Sequence, residues 1–146
     1  MGALLIDIAQ ALVTELNAAA PGSFTQTFTA VRGYCPQFDL AELKTLRVTV
    51  VPRKLELASL TRQSNQHDVS VDVAVQKKVL LTDVAQLDDL MMLVEQIGDY
   101  FRLRRLTALP NVLWLRTENL PVYIPEHLEE KQVFTSVLTL TFRVAR

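Results

Sequence analysis

Apolar residues recur along this chain with two different periods, and the switches between them mark out its elements. Over residues 4–17, Leu5, Ile8, Ala9, Leu12 and Leu16 fall three and four apart, while Asp7, Gln10, Thr14 and Asn17 take the opposite side. That spacing predicts a helix with one apolar face, ended by the Pro21–Gly22 pair. Residues 80–106 repeat the pattern. Val84, Leu87, Leu90, Met91, Val94, Ile97 and Phe101 form the expected core stripe of a second helix, and Asp88, Asp89, Glu95, Gln96 and Asp99 its wet side. Asp83 is placed to cap that helix, with Gln86 three residues on. Arg102, Arg104 and Arg105 close the stretch, either because a helix C-terminus favours cations or as a basic patch for a partner.

Elsewhere the period drops to two. FTQTFTAVRGY (24–34) predicts a strand, and Asp39 a capped turn carrying Leu40 and Leu43. LRVTVVP (46–52) predicts a strand with Leu46, Val48 and Val50 on one face, stopped by Pro52. LELASLTR (55–62) reads as a separate run, and the polar stretch around 61–67 as a loop or hairpin tip. NVLWLRTEN (111–119) predicts another strand and LPVYIPEHLEE a proline-punctuated loop. In QVFTSVLTLTFRVAR (132–146), Phe134, Leu138, Leu140, Phe142 and Val144 face inward, with Thr135, Val137, Thr139, Thr141 and Arg143 outward.

The stretch QHDVSVDVAVQKK (66–78) raises the question of a metal or catalytic site, because His67, Asp68 and Asp72 stand close together. Alternation answers it. Val69, Val71, Val73 and Val75 line one face with His67, and Asp68 and Asp72 point to the other. The two carboxylates sit about 13 Å apart along an extended strand, too far to share one ion. A strand is expected here, and no site. Two helices packed on one face of a mostly antiparallel sheet give a single α+β domain over residues 1–146.

Composition narrows the function classes. With 146 residues, 49% apolar and 21% charged, the chain is long enough to bury a core. A net charge of −1 lacks the basic excess of a nucleic-acid binder. The single cysteine, Cys35, rules out an internal disulfide. No basic residue precedes Arg32, Ile6 stands where a myristoylation signal needs Ser or Thr, and no apolar run reaches membrane-spanning length, so a soluble intracellular protein is expected.

Catalytic signatures are missing: there is no glycine-rich phosphate loop, GxSxG or HExxH. Cys35 with His67 or His127 is a conceivable thiol–base pair, but a half-buried structural cysteine is the simpler expectation. His127 among Glu126, Glu129 and Glu130 is a conceivable metal site, against a solvated turn. The expectation is therefore of no catalytic, cofactor or metal residue. What stands out is surface: a threonine ladder on the last strand, and loops suited to reaching a partner.

LLIDIAQALVTELN, FDLAELKTLRVTVVP, QHDVSVDVAVQKKV and LPVYIPEHLEEKQVFTSVLTLTFR, in that order, resemble the small neck and tail-completion proteins of long-tailed bacteriophages over nearly the whole chain. The early I-x-x-A-L-x-x-x-L helix and the closing FTSVLTLTFR are similar to the tail-terminator group. The resemblance implies a virion protein, assembled in the host cytoplasm, that forms a ring, usually a hexamer. Such a ring ends the tail tube and meets the head connector, with no membrane, no cofactor and no catalysis. Its partners would be its own copies, the tail tube protein and a head-completion or connector protein, with DNA only as passing cargo. Subunit contacts are expected on Thr135, Thr139, Thr141 and Arg143 and on the 53–67 hairpin. Asp88, Asp89, Glu95 and Asp99 are expected to face the lumen, where negative charge keeps a duplex sliding. The alternatives are a head-completion or connector-adaptor protein of the same neck, a small α+β enzyme, and a ligand-binding module.

Overall fold

The computed structural model describes residues 3–20, 22–34, 42–59, 65–106, 109, 111–119 and 122–145. In chain order they form α1 (Leu4–Asn17), β1 (Ala30–Arg32), a 3-10 turn (Glu42–Lys44), β2 (Arg47–Ser59), β3 (Asn65–Lys78), α2 (Val84–Phe101), β4 (Leu113–Asn119), α3 (Pro125–Lys131) and β5 (Val133–Ala145). The sheet runs β1-β2-β3-β5-β4 and is antiparallel except for β1 beside β2. The α+β expectation holds.

Long cross-strand rows decide which side chains share a face. Val50, Val73 and Leu138 stand in one row and Pro52, Val71 and Leu140 in another, all turned toward the helices. There the valines and leucines of these rows meet Ile8 and Leu12 of α1 and Leu93, Ile97 and Phe101 of α2 in one continuous core. Val69, Val71, Val73 and Val75 are fully buried, so the 66–78 stretch is the central strand that its alternation predicts. α1 presents its expected stripe, with Leu5 half-buried at the margin. Among the described residues no helix is long and apolar enough to cross a membrane.

Several boundaries differ from expectation, each for a physical reason. Pro52 does not stop its strand: β2 runs on through LELAS to Ser59 and pairs with β3 throughout. β1 covers β2 only at Val48–Val50, so beyond that point a missing N–H costs nothing on the open edge. The register slips between Pro52 and Lys54, leaving Arg53 as a bulge. The 24–34 strand shrinks to Ala30–Arg32, because Phe24 and Phe28 turn aside to pack against the core and each other, with Phe24 also against Tyr100. Asn17 holds the short strand, its amide oxygen accepting from Ala30 N at 2.8 Å and its nitrogen donating to Ala30 O at 3.0 Å.

α2 begins at the expected cap, Asp83 accepting from Gln86 N at 3.2 Å, but stops at Phe101. The arginines therefore follow the helix. Arg104 folds back over the Tyr100 ring, donates to Tyr100 O at 2.8 Å and lies 3.7 Å from Glu15, tying α2 to α1. In place of the expected loop, residues 125–131 form α3, started by Pro125 at its first position. Of the predicted 39–43 turn, Leu43 lies buried in the 3-10 turn, while Asp39 and Leu40 fall outside the described residues.

Candidate functional site

On the sheet face away from the helices, three successive rows across β3 and β5 are joined by side chains. Asp68 accepts from Arg143 Nε at 2.9 Å and from Nη2 at 3.1 Å. Ser70 and Thr141 hydroxyls lie 3.2 Å apart, and Thr139 Oγ1 donates to Asp72 at 2.7 Å. The bulge aims Arg53 at both Asp72 oxygens, 3.3 Å away. The paired hydrogen bonds from Arg143 hold the Asp68 carboxyl below its ordinary value, with the Arg143 and Arg116 charges adding and desolvation opposing. Asp68, in turn, raises Arg143. A row of bidentate and hydroxyl pairs of this kind fixes strand register.

The residues of the expected interface, Thr135, Thr139, Thr141 and Arg143, all lie on this face. Thr135 and Thr141 face away from the helices, yet both are buried by their own chain. The Thr135 hydroxyl lies 3.0 Å from His127 Nδ1, and its carbonyl accepts from Ile124 N at 3.0 Å, so α3 already occupies the space above it. The 3-10 turn packs on β3, and Thr49, Ala74 and Gln76 on this face are buried. Thr139 is committed to Asp72, and Arg143 to Asp68. The face is a charged and paired lattice in which Thr139 and Arg143 remain partly exposed.

The other candidate groups are dispersed. His67 shares a row with Leu57 and Val144 on the helix side, and His127 is engaged with Thr135. Among the described residues no group of three His, Cys, Asp or Glu side chains could hold a metal ion. Cys35, and with it the conceivable thiol–histidine pair, lies outside the described residues. Asp88, Asp89, Glu95 and Asp99 are all exposed, as their wet-side placement predicts. Asp88, Glu95 and Asp99 share one outward stripe, while Asp89 stands two turns before Gln96 on the flank where Gln96 binds Thr25.

Two grooves border α2. One, of about 380 Å³, lies between its C-terminal half and β4, with Glu95, Asp99 and Arg102 on one wall and Trp114, Thr117 and Asn119 on the other. Its inner polar groups are already paired: Trp114 Nε1 donates to Thr117, and Asn119 Nδ2 to Ser136 and the Val137 carbonyl. The second groove, of about 300 Å³, is mostly apolar, with Asp88 also in its lining, and runs between the start of α2 and α3. Leu81, Val84, Leu87 and Met91 form one side, and Tyr123, Leu128 and Phe134 the other. Val84, Leu87 and Met91 belong to the stripe expected in the core; instead Val84 is 61% exposed and the other two are half-buried. Leu87 and Met91 still pack against the core, and Leu93, outside the expected stripe, is fully buried with it.

A second uncovered apolar surface lies on the arm made by the far halves of β2 and β3. Leu55 and Leu57 are on the helix-facing side, in rows with Val69 and with His67 and Val144. They are 48% and 62% exposed. The sequence held a signal for both surfaces, namely more periodic apolar positions than two helices and a sheet bury. Neither α3 nor the groove that it walls was read from it. Compared with models of known protein families and with curated proteins, the chain matches none.

Proposed function

We propose that this chain is a structural subunit of the neck of a long-tailed bacteriophage, forming a ring that ends the tail tube and joins tail to head. The observation that supports this reading is the pair of distinct apolar surfaces left uncovered on one body, the arm of β2–β3 and the groove of α2–α3. A chain carrying two unlike sticky patches is suited to head-to-tail association, which closes as a ring when the rotation between copies permits. The paired lattice of Asp68, Asp72, Thr139, Arg143 and Arg53 gives such a subunit a stiff sheet on which to carry those patches.

In this reading the chain performs no catalysis and works through its own copies, the tail tube protein and a head-side connector, with DNA passing through. The exposed stripe of Asp88, Glu95 and Asp99 would face that passage and repel the duplex. A head-completion or connector-adaptor role shares the ring and differs in what binds its two axial faces. The ligand-binding alternative would rely on the larger groove, where Trp114 is paired with Thr117 and Asn119 with Ser136 and the Val137 carbonyl. Light scattering after size exclusion, with negative-stain images of the protein mixed with tail tubes, tests the proposal. A ring, or a cap found only on tube ends, is expected. A monomer that binds neither tubes nor filled capsids would refute it. Cryo-EM density with α2 on the outer rim would refute the lumen assignment alone.

A further inference from the structure

We propose that the turn after α2, Arg102–Arg105, is a docking hook for a partner protein that offers an apolar socket edged by carboxylates. Leu103 is the anchor, and Arg102 and Arg105 are its flanks. The inference stands apart from the ring reading, since it concerns another protein and another surface.

The turn is built against local preference. Arg102 has φ −59° and ψ 120°, Leu103 has φ 57°, and Arg104 N donates to Phe101 O at 3.1 Å. These are the features of a type II turn, whose third position calls for glycine or asparagine because its φ is positive. A leucine there crowds its Cβ against the backbone. Nor does burial offset the strain: Leu103 is 74% exposed, more than any other large apolar side chain among the described residues.

The neighbours hold the hook in place. Phe101 and Leu106 are buried on either side of it. Arg104 lies over the Tyr100 ring and donates to the Tyr100 carbonyl at 2.8 Å. The turn is therefore pinned at both ends and across its base, and an anchor presented in this way loses little entropy on docking.

Charge names the partner. Arg104 is already committed to Tyr100 and Glu15. Arg102 and Arg105 are exposed and pair with no other described residue. Guanidinium groups flanking an apolar anchor suit carboxylates, which they grip bidentately. Two free cations make no track for a duplex, which carries a charge about every 1.7 Å. Asp99 also stands one turn back on α2, in a chain of net charge −1. A single leucine is likewise too small an anchor for a lipid surface.

Fluorescence anisotropy of the full chain with a dye-labelled helical peptide of about 15 residues tests the hook. The peptide carries leucines at i, i+3, i+4 and i+7 with glutamates between them; its control has lysines instead. The leucine row supplies a hole for Leu103 and the glutamates its carboxylate edge. Wild type should bind the glutamate peptide, less tightly as salt rises, and leave the lysine peptide free. Leu103→Gly should raise the urea midpoint by relieving the turn, yet weaken binding by about tenfold, the worth of one buried leucine. Leu103→Asn, which also tolerates the turn, should do the same. Arg102→Gln combined with Arg105→Gln should weaken binding and flatten its salt dependence at an unchanged midpoint.

No binding of the glutamate peptide, equal binding of both peptides, or undiminished binding by Leu103→Gly would overturn the hook. A lowered midpoint in Leu103→Gly would do so too, since the leucine would then serve the fold. Duplex DNA or phosphatidylglycerol vesicles bound more tightly than the peptide, with the same dependence on Leu103, would overturn the choice of partner. Self-association of wild type that Leu103→Gly abolishes would overturn it as well. A ring kept by Leu103→Gly agrees with a hook that serves another protein.

Discussion

The near and far halves of β2 are built on the same alternation and meet opposite fates. Val48 and Val50 lie beneath α1, edged by β1, and are fully buried. Leu55 and Leu57, in phase with them after the bulge, remain 48% and 62% exposed. The difference teaches that period assigns a side chain to a face, while only a second layer decides whether that face is dry. An arm whose outer side is locked by cross-strand pairs can hold two uncovered leucines without losing register, because the register does not depend on them.

Mutations should separate the halves. The largest effect is expected from Leu140→Ala in the covered region, which should cost about 2–5 kcal/mol by urea unfolding, against within about 0.5 kcal/mol for Leu57→Ala in dilute monomer. Equal losses would mean that the arm is covered after all.

Next comes the edge. Asn17→Ala removes both bonds that hold Ala30 and leaves a buried backbone group unpaired, at a cost of about 1–3 kcal/mol. Hydrogen exchange should then quicken at Val48–Val50, making the near half resemble the far one; unchanged protection there would count against the role given to β1.

A smaller change sharpens the covered side. A Cβ added to Gly98 would sit 3.7 Å from Leu138 and 3.8 Å from Thr117, ordinary contact distances. Gly98→Ala should therefore raise stability by about 0.5–1 kcal/mol through helix propensity, measured as a higher urea midpoint. A loss would place α2 closer to the sheet than these distances allow.

The smallest effect concerns Asp68. Its carboxyl titrates below the ordinary value when folded, so its contribution is present above that value and fades as pH falls through the lowered one. The difference in urea midpoint between wild type and Asp68→Asn should be steady near neutrality and shrink in acid. A difference that persists with Asp68 protonated would place the pair's role in shape, and not in charge.

The comparison also marks what could be read in advance. The α+β class, both long helices, the valine row of β3 and the inward set of β5 follow from residue spacing, because periods of 3.6 and 2 are properties of the backbone itself. The Asp83 cap was equally local, needing only residues three apart. Pro52 misled because its cost depends on a neighbouring strand that sits over Val48–Val50 and ends there. α3 was hidden because seven residues carry only one buried apolar position, Leu128, too few to show a period.

The same division applies to the candidate surfaces. By itself the sequence determined which residues are apolar, which alternate, and that Asp68 and Asp72 point together away from the valines. Only the tertiary structure decided that Thr135 and Thr141 are buried, that Arg143 pairs with Asp68, and that Val84, Leu87 and Met91 line a groove, the last two while packing against the core. Periodicity is a one-dimensional property of a strand or helix. Coverage depends on where another element, distant in sequence, comes to an end.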